Sequence, residues 1–527
     1  MQGREALGGF RFKAVSLKPG KTARFLLVSG ISDDAGDVAK WTRWARKAGV
    51  AAKSLAFTRK YWADQIGRIS FGTPDAQLNN WLTWVNFQPI LRRIYGKSNL
   101  PQFDYGRGGK GWRDLWQDCL ALLLSNPNSV RTLLLHNFGG VRIDGSNATI
   151  IGGKGEFIAD RNNIPRTWMD HGIWPLYTAL LYVDQTGDFD FLLQEREYFR
   201  DPQIFRCRHR DAKWNEEYGY NLRTRGRKIY KGTIYEHMLV QNLTAFFNVG
   251  EHNVCRLEGA DWNDGLDMAP HRGESVAFSA FYAWNLERLA RTAETLAAQG
   301  RTHLYLAREL VMLLDRLPGS QRVNYGSVEA KQDRLHEYLS VVAKDVTGHR
   351  MAVRIDDLIK DLRAKSRDLS LRIGKQEWVS GGRGLAYFNG YYDDHGRRVE
   401  GRHGNGARMS LTGQVFPIMA GIADDGQIDK VIASVGRLLK DPKTGGVRLN
   451  TDFGGVQHSL GRAFSFAYGE KENGAVFSHM AVMYAFGLYL RRRPEAGRAV
   501  WSTLYRMATD AATAKIFPCV PEYFNAE

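Results

Sequence analysis

The chain has 527 residues, 43% of them hydrophobic and 24% charged, which is ordinary for a soluble globular protein and enough for one very large domain or roughly two to three of common size. Its formal net charge is +17, yet the basic residues are scattered and cluster only in short runs such as Arg491-Arg492-Arg493. With no long basic block and no nucleic-acid motif in its proper context, a nucleic-acid partner is not expected, whereas an anionic small substrate such as phosphate remains compatible.

The first residues, Met1-Gln2-Gly3-Arg4-Glu5, lead into no apolar signal core. Residues 10–15 and 23–28 alternate like strands on either side of a Pro19-Gly20 turn. Two strands do not make a stable sheet, so residues 1–32 are expected to be the end of a β domain that begins outside this chain. From Asp33 the period becomes helical: Val38, Trp41, Trp44, Ala45 and Ala48 share one face, as do Trp81, Trp84, Val85 and Leu91. Further helices are expected at Trp112–Ser125, Val130–His136, Ile173–Asp184, Ser275–Ala298, Leu304–Leu317 and His479–Arg491, several closing at breaks such as Thr186-Gly187. Residues 318–375 are more charged and are expected to form an excursion packed on the main body. No short repeat is visible, which argues against a solenoid. Many helices joined by glycine-rich loops suggest a toroid of helical hairpins with a loop-built cleft at one end.

Apolar runs such as Leu120-Ala121-Leu122-Leu123-Leu124 are too short to cross a membrane, so no membrane partner is expected. Cys119, Cys207, Cys255 and Cys519 are far apart and form no CxxC pair. Reduced thiols and a cytoplasmic setting are expected, with no zinc site.

The stretch from Leu257 to Asp267 concentrates chemistry. It holds Asp261, Trp262, Asn263, Asp264, Gly265 and Asp267, a composition that favours turns over helix. Such a loop can set a carboxyl group beside an indole face, the pairing a carbohydrate site needs; a polar turn around a buried Trp fits the same residues. Gly106, Gly108 and Gly111 spell a G-x-G-x-x-G, but no strand precedes it and no βαβ unit surrounds it, so a dinucleotide site is not expected. That segment does offer Arg107, Arg113 and Asp114 at a helix start, where an oxyanion or sugar hydroxyls can bind. Polar-aromatic loops recur at 160–163, 169–175 and 388–394, and Glu472–His479 places an imidazole where a helix begins. His171 reads more readily as structural than as a ligand. The alternative for 388–394 is a turn with buried tyrosines.

Together and in this order these segments resemble the inverting phosphorylases of glycoside hydrolase family 94, the cellobiose phosphorylase group. The resemblance runs from about residue 5 to the end of the chain. It rests on Gly-Trp-Arg-Asp-Leu-Trp-Gln-Asp (111–118), Asp-His-Gly-Ile-Trp-Pro-Leu (170–176), Thr-Gly-Asp (186–188), Asp-Trp-Asn-Asp-Gly-Leu (261–266), Gly-Glu-Ser-Val (273–276) and Glu-Asn-Gly-Ala-Val-Phe-Ser-His (472–479). Residues 388–394, 411–419 and Pro-Glu-Tyr-Phe (521–524) look most like the β-1,2-oligoglucan phosphorylase branch.

The resemblance implies a mainly α fold: the remnant of an N-terminal β-sandwich at 1–32, a helical linker at 33–76 and an (α/α)6 barrel from 77 to 527. It implies cleavage of β-linked glucooligosaccharides by inorganic phosphate, giving α-glucose 1-phosphate and a shortened sugar, without metal or organic cofactor. Asp264 matches the general acid. Trp262, Arg107, Arg113 and Asp114 match residues around the sugar on the non-reducing side, while His479 and Glu522 match phosphate-site positions. A homodimer is the family's common state. The competing readings are an inverting hydrolase on the same barrel, which needs a carboxylate base, and a non-catalytic glycan-binding protein. Relatives continue past residue 524 with a phosphate-binding loop and further helices. The chain is therefore expected to be a fragment, poorly soluble and weakly active alone.

Overall fold

A computed structural model of the protein describes residues 9–30, 32, 34–95, 110–152, 155–159, 165–404, 406–513 and 517–526. Two compact units divide at Pro74, Met1–Pro74 and Asp75–Glu527. In the first, α1 (Ala35–Ala45) begins at Asp34, whose side chain accepts the Gly36 amide, and α2 (Val50–Ile66) follows Gly49. The strands expected at 10–15 and 23–28 do not form among the described residues. The chain does turn at 18–21 and brings the Phe12 and Phe25 rings to 4.6 Å. Phe10, Val15, Leu26 and Leu27 are all largely exposed, so alternation finds no buried face to reward it and no ladder closes.

The second unit is mainly helical. Its helices are α3 (Ala76–Tyr95), α4 (Trp112–Leu122), α5 (Pro127–Phe138), α6 (Ile173–Thr186), α7 (Ile234–Phe247), α8 (Val276–Ala298), α9 (Val328–Val342), α10 (Ile355–Gln376), α11 (Thr412–Met419), α12 (Asp425–Leu438), α13 (Ser478–Leu490) and α14 (Pro494–Thr509). Local chemistry sets their ends. Thr233 and Ser275 cap α7 and α8 with their hydroxyls, Asp424 and Gln427 form a reciprocal capping box on α12, and Gly187 closes α6 in the left-handed conformation. Helix α7 is buried at every residue, its polar side chains Glu236, His237, Asn242 and Thr244 included, and these are hydrogen-bonded. Helices α4, α5 and α6 pack together, α8 packs on α7, α10 and α11, and α13 on α11 and α14. Among the described residues, no helix is long and apolar enough to cross a membrane.

Two expectations fail here. The helix predicted at Leu304–Leu317 is a strand, His303–Ala307, paired antiparallel with Arg350–Arg354 and followed by a 3-10 turn at Leu310–Leu313. Leu304 and Leu306 are buried while His303 and Tyr305 are exposed, so the true period over these residues is two. Residues 318–375 are no excursion either. Helix α10 buries Leu358, Leu362, Leu369 and Ile373 and packs along α8. Most of its charges, among them Asp356, Lys360, Arg367 and Lys375, lie on the exposed face, which composition alone does not reveal. The segment at 388–394 holds buried Tyr391 and Tyr392, paired with Glu274–Ser275. The two glycosylation-like asparagines, Asn147 and Asn242, are buried.

Helix α10 is pinned by charge as well as by apolar contact. Lys365 donates to Asp315 at 2.7 Å and also to Asp361, and none of the three side chains touches solvent. Removing the cation would strand two carboxylates in a medium that solvates them poorly, which costs about 3–5 kcal/mol. Lys365→Met is therefore expected to lower stability in chemical denaturation by that amount. Arg363→Met, which breaks half-exposed pairs with Glu287 and Glu294 on the next turn, should cost no more than about 1 kcal/mol. Equal losses for the two variants would contradict the buried triad.

Candidate active site

The site grows from the first turn of α4. The preceding strand Lys110–Gly111 pairs with Ile150–Ile151, the Trp112 amide donates to the Thr149 carbonyl at 2.8 Å, and the Trp112 indole N–H donates to the His171 carbonyl at 3.0 Å. These bonds fix the helix start, and with it Arg113. The Arg113 guanidinium grips Asp170 with two bonds, Nε to Oδ2 at 2.8 Å and Nη2 to Oδ1 at 3.1 Å. Its Nη1 donates to Asp264 Oδ1 at 2.9 Å and its Nη2 to the Asp261 carbonyl at 3.1 Å. Asp170 has no exposed surface and also accepts the Trp174 indole N–H at 2.7 Å. Burial opposes its charge, but the Arg113 guanidinium and His171 more than offset that and hold the carboxyl below its usual range. Asp264 is different: its side chain is 45% exposed, so one edge is tied to Arg113 and the other is open to a ligand.

The loop that carries Asp264 is two nested turns. Asp261 accepts the Asn263 amide at 2.9 Å, and the Asn263 side chain accepts the Gly265 amide at 3.0 Å. The loop lies flat against residues 461–463. A Cβ on Gly265 would sit 2.6 Å from that of Ala463, and one on Gly461 would overlap the Gly265 carbonyl, so the backbones approach only because both residues are glycine. Residues 166–169 border the other side, with the Met169 amide donating to the Ala260 carbonyl at 2.9 Å.

Trp262 points its indole N–H at His479 Nδ1, 3.0 Å away, and packs edge-on against Phe477. An indole nitrogen only donates, so Nδ1 of His479 must be the accepting, unprotonated nitrogen. The ring's remaining hydrogen is then on Nε2. Burial, and then the nearby Arg113 charge, push the His479 pKa down to about 4. The result is a neutral imidazole in one tautomer, held at the start of α13 behind the Val476–Phe477 strand. That strand pairs with Tyr523–Phe524, and the Ser478 amide donates to the Glu522 carbonyl at 2.9 Å. Glu522 itself is exposed. Partial burial and the charges of Glu472, Asp114 and Asp264 push its pKa up, with Arg113 opposing.

Of the residues expected from sequence, Arg113 thus bonds Asp264 and Trp262 bonds His479, the Arg113 charge reaches His479, and Asp114 and Glu522 lie close enough to interact by charge. Arg107 and the loop at 160–163 lie outside the described residues. His171 is buried with Nδ1 against the Asn147 amide nitrogen at 3.2 Å, and its pKa falls to about 3, largely through burial. It supports the wall of the site, as its structural reading anticipated. Sequence reading assigned no role to Asp170 or Asp261. The signal for Asp170 was its place four residues before Trp174, a spacing that lets the carboxyl meet the indole N–H across one helical turn.

The model of the glycosyl hydrolase 94 superfamily's catalytic domain matches residues 220–312 and 355–488. The chain's curated relatives are phosphorylases and a glucan synthase. It is 22% identical over 469 residues to solabiose phosphorylase of Paenibacillus borealis, an alignment covering 88% of this chain and 47% of the relative. It is 24% identical over 316 residues to N,N'-diacetylchitobiose phosphorylase of Vibrio furnissii, covering 55% and 35%. It is also 22% identical over 464 residues to cyclic beta-(1,2)-glucan synthase NdvB of Rhizobium meliloti (strain 1021), covering 88% of this chain and 14% of that protein. The chain spans less than half the length of each of these three relatives.

The state of His479 sets a pH signature. An unfolded chain protonates histidine near about 6.5, and this fold delays protonation to about 4. Between those values the unfolded state binds the extra proton, so this residue withdraws stability as pH falls through the window. The Tm of the wild type minus that of His479→Gln is expected to shrink steadily from pH 7 to pH 4.5. A difference independent of pH would contradict the neutral, indole-bonded imidazole.

Proposed function

We propose that the chain carries the active centre of an inverting glycoside phosphorylase. It cleaves β-linked glucooligosaccharides with inorganic phosphate, reversibly, to α-glucose 1-phosphate and a shortened sugar. The observation that carries the reading is the two bonded pairs Arg113–Asp264 and Trp262–His479: a half-open carboxyl, an aromatic face and a neutral imidazole donor on one loop cluster. The match to that superfamily's catalytic domain and relatives that include phosphorylases support it.

In this reading Asp264 protonates the glycosidic oxygen. Trp262 lines the sugar, and Arg113, Asp114 and Arg107 hold the same sugar. Phosphate attacks from the opposite face. It is already nucleophilic at neutral pH, so no protein base is needed. His479 donates its Nε2–H to a phosphate oxygen. Glu522 stands at the phosphate end of the site beside it. No metal or organic cofactor takes part. The likeness to NdvB, named for a β-(1,2)-glucan, fits the β-1,2-oligoglucan branch as substrate class. We place this chemistry on an (α/α)6 barrel beginning near residue 77, after a helical linker from residue 33, in a cytoplasmic and commonly homodimeric enzyme without nucleic-acid or membrane partners.

One observation favours a second reading. Glu522 lies close enough to Asp264 for the two to interact by charge, and an inverting hydrolase needs such a second carboxyl to activate water. Incubating the protein with β-glucooligosaccharides decides between them. Phosphate-dependent release of α-glucose 1-phosphate is expected; free glucose made equally well without phosphate would establish hydrolysis.

Two substitutions test the roles. Asp264→Asn is expected to lose about a hundredfold to ten-thousandfold in kcat on unactivated oligosaccharide with folding intact. Near-normal turnover would remove Asp264 from the role. His479→Ala removes one donor to an anion, worth about 1.5–3 kcal/mol, and should raise the KM for phosphate far more than that for sugar. An unchanged phosphate KM with sugar affinity lost would contradict it.

A further inference from the structure

Behind the loop that carries Asp264 runs a chain of buried polar groups that the chemistry above does not use. Asp261 has no exposed surface. One of its oxygens accepts the Asn263 amide at 2.9 Å, the other accepts the Ser275 hydroxyl at 3.0 Å, and Tyr391 lies close to the same carboxyl. Tyr391 bonds to the Thr412 hydroxyl at 2.9 Å, Thr412 to Ser410 at 3.4 Å, and Ser410 to Glu400. The far oxygen of Glu400 accepts the Gly390 and Tyr391 amides at 2.9 and 3.1 Å.

The three hydroxyl hydrogens, of Tyr391, Thr412 and Ser410, all run toward Glu400. Burial pushes Asp261 and Glu400 up to about 7, and the Asp170 charge adds to the push on Asp261. Only the backbone carbonyl of Asp261 touches the Arg113 guanidinium, which leaves the side chain for the loop.

We propose that Asp261 is a positioning residue: by holding the Asn263 amide and Ser275 at once, its carboxyl fixes the turn that aims Asp264 at the glycosidic oxygen. The inference rests on the reading of Asp264 as general acid. Asp261 touches neither sugar nor phosphate. It acts through the nested turns at 261–263 and 263–265, which its side chain ties to the start of α8. Ser275 also caps α8, donating to Asp261 while accepting the Phe278 amide at 3.2 Å, so the aim of Asp264 is referred to one of the longest helices of the fold.

The test uses leaving groups. A β-linked glucodisaccharide departs as a poor leaving group and needs the acid, whereas a dinitrophenyl β-glucoside departs without protonation. Phosphorolysis of both is measured for the wild type, Asp261→Ala, Asp261→Asn, Ser275→Ala and Asp264→Asn. A misaimed acid costs on the order of a hundredfold, so Asp261→Ala is expected to lose about that in kcat on the disaccharide. On the aryl glucoside its loss should stay within severalfold, with an unchanged phosphate KM. Asp261→Asn, which keeps the acceptor for the Asn263 amide, should recover most of the loss. Equal losses on both substrates, or none on either, would overturn the proposal. Ser275→Ala removes only the hydroxyl that bonds the Asp261 carboxyl and applies the same criterion should Asp261→Ala fail to fold. If Asp264→Asn shows no leaving-group selectivity, it is the general-acid reading that fails. If it does and Asp261→Ala does not, only the present inference fails. Amide hydrogen exchange gives a readout independent of turnover. Faster exchange confined to Asn263 and Gly265 in Asp261→Ala is expected, and unchanged protection there would equally overturn the proposal.

Discussion

A guanidinium cannot shed its proton inside a protein, so a buried arginine must be met by acceptors or it will not be buried at all. Arg113 is such a residue, and four of its five N–H donors are met by Asp170, Asp264 and the Asp261 carbonyl. The requirement propagates outward. Asp170 has to sit at the mouth of α6, so its segment pairs with residues 258–260. The start of α4 has to be rigid, so Trp112 is bonded through both its backbone and its indole. The loop at 261–265 has to lie flat, so Gly265 and Gly461 permit backbone contact. Of the two carboxylates on Arg113, the buried one is bound twice and the half-open one once, which leaves the exposed partner as the group a ligand can recruit.

The same low-polarity setting that makes Arg113 costly keeps the nearby imidazoles neutral. His171 and His479 both lie near this cation, and burial and its charge together disfavour a second positive charge on either ring. For His479 this converts a potential ion pair into a hydrogen-bond donor of fixed direction, because Trp262 consumes the only other ring nitrogen. A donor of fixed direction suits discrimination by geometry better than a diffuse charge does.

Much of this was legible in the sequence, and the reasons for the rest are physical. Arg113, Asp114, Trp262, Asp264 and His479 were singled out because their residue types and order are unusual, and unusual order survives without knowledge of the fold. Asp170 and Asp261 stood in the same quoted segments but carried no assigned role. Their importance lies in burial and in partners up to 148 residues away in sequence, such as Arg113 and Asp261, a separation no local pattern encodes. Misplaced elements have a common cause. At 303–307 a strand was read as helix because Leu304 and Leu306 were joined to apolar residues beyond them. At 355–376 charge was counted without asking which face held it. Residues 10–28 show the converse, a strand pattern without a ladder.

The remaining tension is electrostatic. Asp114, Glu472 and Asp264 all lie close enough to Glu522 to act on its charge, and in the proposed reading a phosphate dianion beside them would meet repulsion that Arg113, already engaged with two carboxylates, only partly relieves. A neutral donor eases the conflict, since it binds an anion without needing to be a bare cation. His479 is one by virtue of its indole partner. The carboxylates themselves would suit sugar hydroxyls, for which they are strong acceptors. The same group of side chains would then offer acceptors to a polyol and a neutral imidazole N–H to an oxyanion.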